Sequence, residues 1–249
     1  MWWCPTGPFT YLPIHAAAQS TPFIQSYTST LSALIQANVR QKLTRAGKNS
    51  ITVTTVGVSE IPGKAHLHLP SVVSEINGIR SAVGEERTHI LLDKDATLDK
   101  VSSHLVTSTW LHLACHGQQD PDKPLKSHIL LYDGTLELAQ ILNASLPNAE
   151  FVFLSACQTA TGDARLVNES MHLAGGLIFA GFLAAIGTLW NMSDSDGPKI
   201  AQDVYGKLFA DGRNPNVTET AEALKMAVQK LRDQGAPFQQ WMPFIHIGV

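Results

Sequence analysis

Short apolar runs alternate with amphipathic stretches along most of the chain, and the period of each predicts an element. ITVTTVGV, residues 51–58, is dominated by β-branched side chains and predicts a buried strand. Between 69 and 83, Val72, Val73, Ile76 and Ile79 recur at helical spacing and predict a helix with those four on one face. THILLD (88–93) predicts the next strand and ATLDKVSSHLVTS the next helix. WLHLACHG then closes the unit as a strand ending on His116 and Gly117. This alternation predicts an α/β fold with a mostly parallel sheet covered on both faces.

The flanks fit the same plan. At the amino end, WWCPTGPFTYLPIHAA predicts a short strand, a turn and a second extended piece. Leu31, Leu34 and Ile35 predict a helix capped near residues 28–30. Past His116, QQDPDKPLKS reads as an exposed loop, and HILLYDGTLEL carries Asp133-Gly134 between apolar residues, a hairpin signal. LAQILNAS predicts a short helix that returns the chain to the strand FVFLSACQT, closing on Ala156 and Cys157. The linker TATGDARLVNE leads to a buried helix, MHLAGGLIFAGF, and a buried strand, LAAIGTLW. Two helices follow, GPKIAQDVYGKLFADG with Pro198 early and TETAEALKMAVQKLRDQG with Thr218 as cap and Gly235 past its end. PFQQWMPFIHIGV finishes the chain as an extended segment.

Composition narrows the partners. At 249 residues, with 44% hydrophobic and 16% charged side chains, the chain suits one well-buried domain spanning 1–249. A net charge of -3 supplies no basic footprint for nucleic acid. Three cysteines argue against a disulfide framework and for a reducing, cytoplasmic setting, and no secretory signal is visible. Residues 170–193 lack charge and are long enough to span a membrane. Gly175, Gly176, Gly181 and Gly187 interrupt them, and helix, glycine stop and strand is the texture of an α/β core. No ATP, flavin or metal motif is present, so no cofactor is expected.

The chemistry lies where two apolar strands each end on a reactive group. Open α/β sheets bind and process ligands at the carboxyl ends of their strands. A Cys and a His delivered there suggest a thiol nucleophile beside its general base. Cys157 ends its strand where the chain must turn, so its backbone N–H can face a substrate carbonyl. Gly117, lacking a Cβ, suits a second oxyanion donor. No third acid is obvious from spacing, so the expected site is a dyad of His116 and Cys157. Cys115 must face away from His116, because neighbouring strand residues point to opposite faces, and is expected in the core. His112 and His116 could ligate zinc on a helix, but a strand separates them by about 13 Å.

The strings YLPIHAA (11–17), LHLACHG (111–117), LSACQTATG (154–162), E-x-x-x-LAGGLIFAGF (169–182), GTLWNMSDSD (187–196) and the closing PFQQWMPFIHIGV run across nearly the whole chain. With His-Gly 41 positions before Cys157, they resemble the CHAT domain of the caspase-like clan, which includes separases and gingipains. The resemblance implies a three-layer α/β/α caspase-like sandwich with His116 and Cys157 as the dyad. The segment after LAAIGTLW is similar to the separase stretch that supplies an acidic residue to the specificity pocket, with Asp194 and Asp196 at the matching places. A carboxylate there would bind Arg or Lys before the scissile bond. The other reading of Asp194 is a cap on the helix that begins near Gly197. CHAT domains commonly carry more chain before the WWCPTG segment, often helical repeats that bind partners, so the resemblance also implies a truncated amino end. An oligomer partner or an upstream regulatory chain would cover Trp2 and Trp3.

The function expected is therefore a cysteine endopeptidase acting on protein or peptide substrates, latent until activated. The polar loop at 118–127 and the linker at 159–168 are the places for such control. The alternative is a catalytically silent module of the same fold that serves interaction or signalling. A thiol hydrolase or transferase of small molecules would use the same residues.

Overall fold

The computed structural model describes residues 1–17, 21–44, 51–120, 122–155, 169–190 and 192–249. The chain opens with β1 (Trp2–Trp3), a tight helical turn (Gly7–Tyr11), α1 (Ile14–Ala17), β2 (Ser26–Tyr27) and α2 (Leu31–Thr44). The parallel unit follows as β3 (Val53–Gly57), α3 (Val72–Val83), β4 (Thr88–Leu92), α4 (Leu98–Thr107) and β5 (Trp110–Ala114). A small antiparallel sheet of β6 (Gly117–Gln118), β7 (His128–Leu130) and β8 (Thr135–Glu137) leads through α5 (Leu138–Asn143) to β9 (Phe151–Leu154). Then come α6 (Glu169–Ala180), β10 (Ala184–Thr188), α7 (Gly197–Leu208), α8 (Thr220–Asp233), α9 (Phe238–Trp241) and β11 (Phe244–Gly248).

The main sheet has eight strands in the order β1-β2-β11-β10-β9-β5-β3-β4. All its pairs are parallel except β10 with β11. β5 lies between β3 and β9, with Leu113 opposite Val56 and Leu154. Strand alternation sorts the core into two layers. Trp110, Ala114, Phe151 and Phe153 pack with α3, α7 and α8, whereas Leu111, Leu113, Val152 and Leu154 pack with α4, α5 and α6. The architecture is the α/β/α sandwich that the alternating pattern predicts. At Gly57 the approach of α3 is so close that a Cβ would lie 2.9 Å from Val72 and 3.1 Å from Ile76.

Several local expectations change. The second extended piece at the amino end is instead the helical turn, which Pro8 opens, followed by α1. On α3, Val73 is 41% exposed and Glu75 takes a place among the buried residues, for a reason that lies in the site. On α2, Leu31 and Ile35 face outward at 67% and 64% exposure, while Ala37 and Gln41 turn inward with Leu34 beside the core. Ahead of α8, the cap is Asn216 rather than Thr218. Its side chain accepts the Thr218 N–H at 3.1 Å, and Glu219 accepts the Asn216 N–H at 3.0 Å. Among the described residues no helix is long and apolar enough to cross a membrane.

Two buried histidines hold the β2–β11 region together as neutral rings. His15 donates from Nε2 to the Met242 carbonyl at 2.9 Å, and its Nδ1 meets the Tyr27 hydroxyl at 2.8 Å. His246 lies between Ser26 Oγ at 2.7 Å and Thr220 Oγ1 at 2.8 Å. Burial lowers the pKa of His15 to about 4 and of His246 to about 3. An unfolded histidine protonates near pH 6.5. The stability these rings contribute is therefore present above pH 6.5 and is lost as pH falls toward 4 and then 3. Urea unfolding measured between pH 7 and pH 5 is expected to show a steepening loss, approaching about 3 kcal/mol per pH unit from the two rings together. His246→Gln should remove roughly half of that slope.

Candidate active site

β5 and β9 bring their carboxyl ends side by side, and His116 stands two residues past the end of β5. Its ring is buried, and Nε2 lies 2.8 Å from the Leu67 carbonyl oxygen. A carbonyl can only accept, so Nε2 carries the proton and Nδ1 is the basic nitrogen of the neutral ring. Cys115 is fully buried among the residues packed with α4, α5 and α6. Adjacent residues thus take opposite faces, as the strand pattern requires.

Cys157, expected as the nucleophile and second oxyanion donor, lies outside the described residues. Ser155 is the last described residue leading to it from β9. Gly117 is buried in β6 and stands opposite Ile129. The Leu130 N–H donates to the His116 carbonyl at 2.8 Å, so His116 and Leu130 form a hydrogen-bonded pair. Antiparallel pairs alternate, which puts Gly117 in a non-hydrogen-bonded position and turns its N–H away from β7.

The two acidic candidates separate. Asp194 is half-exposed, and its Oδ2 accepts the Ser71 N–H at 2.8 Å, just before α3. It therefore serves the amino end of α3 and not the helix beginning at Gly197. Asp196 is fully buried at the N-cap of α7, yet its side chain makes no capping bond. Its Oδ1 is 3.4 Å from Lys199 Nζ, and its Oδ2 has no partner among the described residues. Ser155 Oγ is likewise buried and unpartnered among them. It lies so near Gly197 that a Cβ there would come within 2.6 Å.

Beneath these groups is a polar cluster that the pattern did not suggest. His112, fully buried, places Nε2 3.1 Å from Glu75 Oε1, and Tyr205 Oη is 3.4 Å from its Nδ1. The three side chains join α3, β5 and α7. Burial, then the Glu75 charge, raises the pKa of Tyr205 well above the usual phenol value. His112 is thus committed to a carboxylate within the core, and no group of three metal-ligating side chains occurs among the described residues. Leu67, Glu75 and Ser155 were not readable as site residues. A backbone carbonyl has no sequence signature, and one Glu on an amphipathic helix reads as surface.

Removing one partner of a buried pair strands the other. Glu75→Ala should cost about 3–5 kcal/mol in urea unfolding. Tyr205→Phe, which deletes only a long hydrogen bond, should cost about 1 kcal/mol.

The CHAT-domain family profile matches the chain over residues 1–249. No protein of curated function matches it in sequence. Among solved structures, the separase–securin complex of Saccharomyces cerevisiae is similar at TM-score 0.63 and 11% identity, covering 96% of this chain and 15% of that one. The complex of RgpB pro- and mature domains from Porphyromonas gingivalis is similar at TM-score 0.57 and 12% identity, covering 92% and 56%. A structure of gingipain R, an Arg-specific cysteine proteinase, is similar at TM-score 0.54 and 12% identity, covering 90% and 53%. The chain thus spans about half the length of the gingipain chains and a small part of the chain matched in the separase–securin complex. The likeness identifies a caspase-like fold.

Proposed function

The chain belongs to the CHAT-domain family, and on that premise we propose that it is a cysteine endopeptidase with Cys157 as nucleophile and His116 as general base. The observation that carries this reading is the seat of His116. Its Nε2–H is fixed on the Leu67 carbonyl at the carboxyl edge of the sheet, beside the strand that leads to Cys157. With that tautomer, Nδ1 takes the thiol proton as Cys157 Sγ bonds to the scissile carbonyl carbon. The N–H groups of Gly117 and Cys157 stabilise the oxyanion. His116 then passes the proton to the leaving amine as the C–N bond breaks. Water, deprotonated by the same nitrogen, hydrolyses the thioester and restores the thiol.

Asp196 is the better candidate to bind a basic side chain before the scissile bond. A buried carboxylate with an unmet oxygen is costly unless a cation or donor completes it. Asp194 already holds the Ser71 N–H and would act at the rim. The Arg specificity of gingipain R points the same way. A reducing compartment and an activating event remain part of the proposal, the latter centred on the loops at 118–127 and 159–168.

An acyloxymethyl-ketone probe carrying Arg, read by mass spectrometry, tests the dyad. Cys157 of the parent protein is expected to be labelled, Cys157→Ala to take no label there, and His116→Ala to react about a hundredfold or more slowly. A folded parent that stays unlabelled with Arg, Lys and apolar probes alike would point to the catalytically silent reading. For the pocket, Asp196→Asn should lower kcat/KM on an Arg peptide at least about thirtyfold, more than Asp194→Asn does. Equal processing of Arg and Leu peptides by the parent would overturn the basic preference.

A further inference from the structure

Leu67 can orient His116 only if its carbonyl stays in place, and it ends a short helical turn (Ala65–Leu67) within the strap, residues 58–71, that joins β3 to α3. The strap leaves the sheet with the Val58 N–H on the Ala114 carbonyl at 2.9 Å. Its base is closed by the Leu69 N–H on the Ser59 carbonyl at 2.8 Å. Ser59 therefore anchors the strap at its base, through Leu69, two residues past Leu67 on the return side.

One carboxylate gathers Ser59. Asp93 accepts the Ser59 N–H at 2.7 Å and its hydroxyl at 2.9 Å on Oδ1, with Oδ2 3.0 Å from the same hydroxyl. The Glu60 N–H is 3.4 Å from Oδ1. Asp93 also has a positive φ of 48°, one of two such non-glycine residues among those described. It follows the last residue of β4, and the left-handed turn takes it off the strand path. Backbone strain of this kind persists where surrounding interactions hold it and clusters at functional sites. Here the interactions are those with Ser59 and Glu60. At the other end of the strap, Asp194 holds the Ser71 N–H.

We propose that Asp93 is a positioning residue for the peptidase reaction: through Ser59 it holds the strap so that the Leu67 carbonyl keeps His116 in the Nε2–H tautomer, which leaves Nδ1 to act as the base. This rests on the peptidase reading for its kinetic consequence but not for its structural one. Asp93 touches neither substrate nor His116, and acts two links away.

The test uses the full chain and three substitutions. Asp93→Gly keeps the left-handed backbone and deletes the carboxylate. Asp93→Asn retains an acceptor and tolerates the same φ. Ser59→Ala removes only the hydroxyl and serves if the glycine variant fails to fold. Long-range 1H–15N spectra of the histidine rings, with the His116 signals assigned through His116→Gln, report the tautomer without any need for turnover. The parent is expected to show protonated Nε2 and unprotonated Nδ1 at His116. Asp93→Gly should show a mixture of tautomers, Ser59→Ala a smaller change, and Asp93→Asn the parental pattern. In peptide hydrolysis, kcat of Asp93→Gly should fall about tenfold, a fraction of what a general base supplies, with KM within about twofold. Asn should recover most of the loss.

A parental spectrum with protonated Nδ1, or folded Asp93→Gly and Ser59→Ala variants that both keep the parental tautomer, would overturn the proposal. A parent without turnover would instead count against the peptidase reading, and the spectra would still decide the role of Asp93.

Discussion

Parallel pairing of β5 with β9, in the register that sets Leu113 opposite Leu154, governs which face of the sheet Cys115 and His116 serve. Both strands run buried on both faces, so apart from His112, whose partners are buried with it, their polar groups lie at the ends. The register places the two ends at one level, and alternation decides which side of the sheet each side chain serves. A slip of one residue in β5 would exchange the faces of Cys115 and His116. The apolar layers on both sides, with Trp110 and Phe151 in one and Leu111 and Val152 in the other, make that slip prohibitive.

The polar cluster of Glu75, His112 and Tyr205 stands directly below that edge, where an apolar core would pack at less electrostatic cost. What it provides is a fixed relation between α3 and α7. Both helices begin at the two candidate carboxylates, since the Ser71 N–H meets Asp194 before α3 and Asp196 stands at the N-cap of α7. Directional bonds specify one arrangement of the two helices, whereas a greasy interface tolerates several. The cluster thus ties α3, β5 and α7 together through directional polar contacts.

Much of this was legible in the sequence because it depends on periodicity. A β-branched run announced β3, apolar runs announced β4 and β5, the Asp133-Gly134 pair announced the β7–β8 hairpin, and alternation assigned Cys115 and His116 to opposite faces. The misreadings arise where burial is decided by a partner rather than by side-chain type. Glu75 is buried because His112 awaits it, and Val73 is left exposed on the same helix. Leu31 and Ile35 look like a core stripe, but α2 is turned so that Ala37 and Gln41 face inward. Leu67 and Asp93 were invisible for a further reason. One acts through its main chain and the other through a contact 34 positions back along the chain. For Asp194 and Asp196 the resemblance to the separase stretch gave the neighbourhood, while the difference in their hydrogen bonding needed the structure.

The placement of Cys115 has a consequence of its own. Its thiol is fully enclosed between the sheet and the α4–α6 layer, one residue from His116, whereas Cys4 lies in the open. A water-soluble alkylating reagent meets Cys4 at once but reaches Cys115 only when that layer lifts from the sheet. The rate at which Cys115 becomes modified in the native state is then a clock for the opening of the core, carried by a natural atom of the protein and wound by the same strand that presents His116.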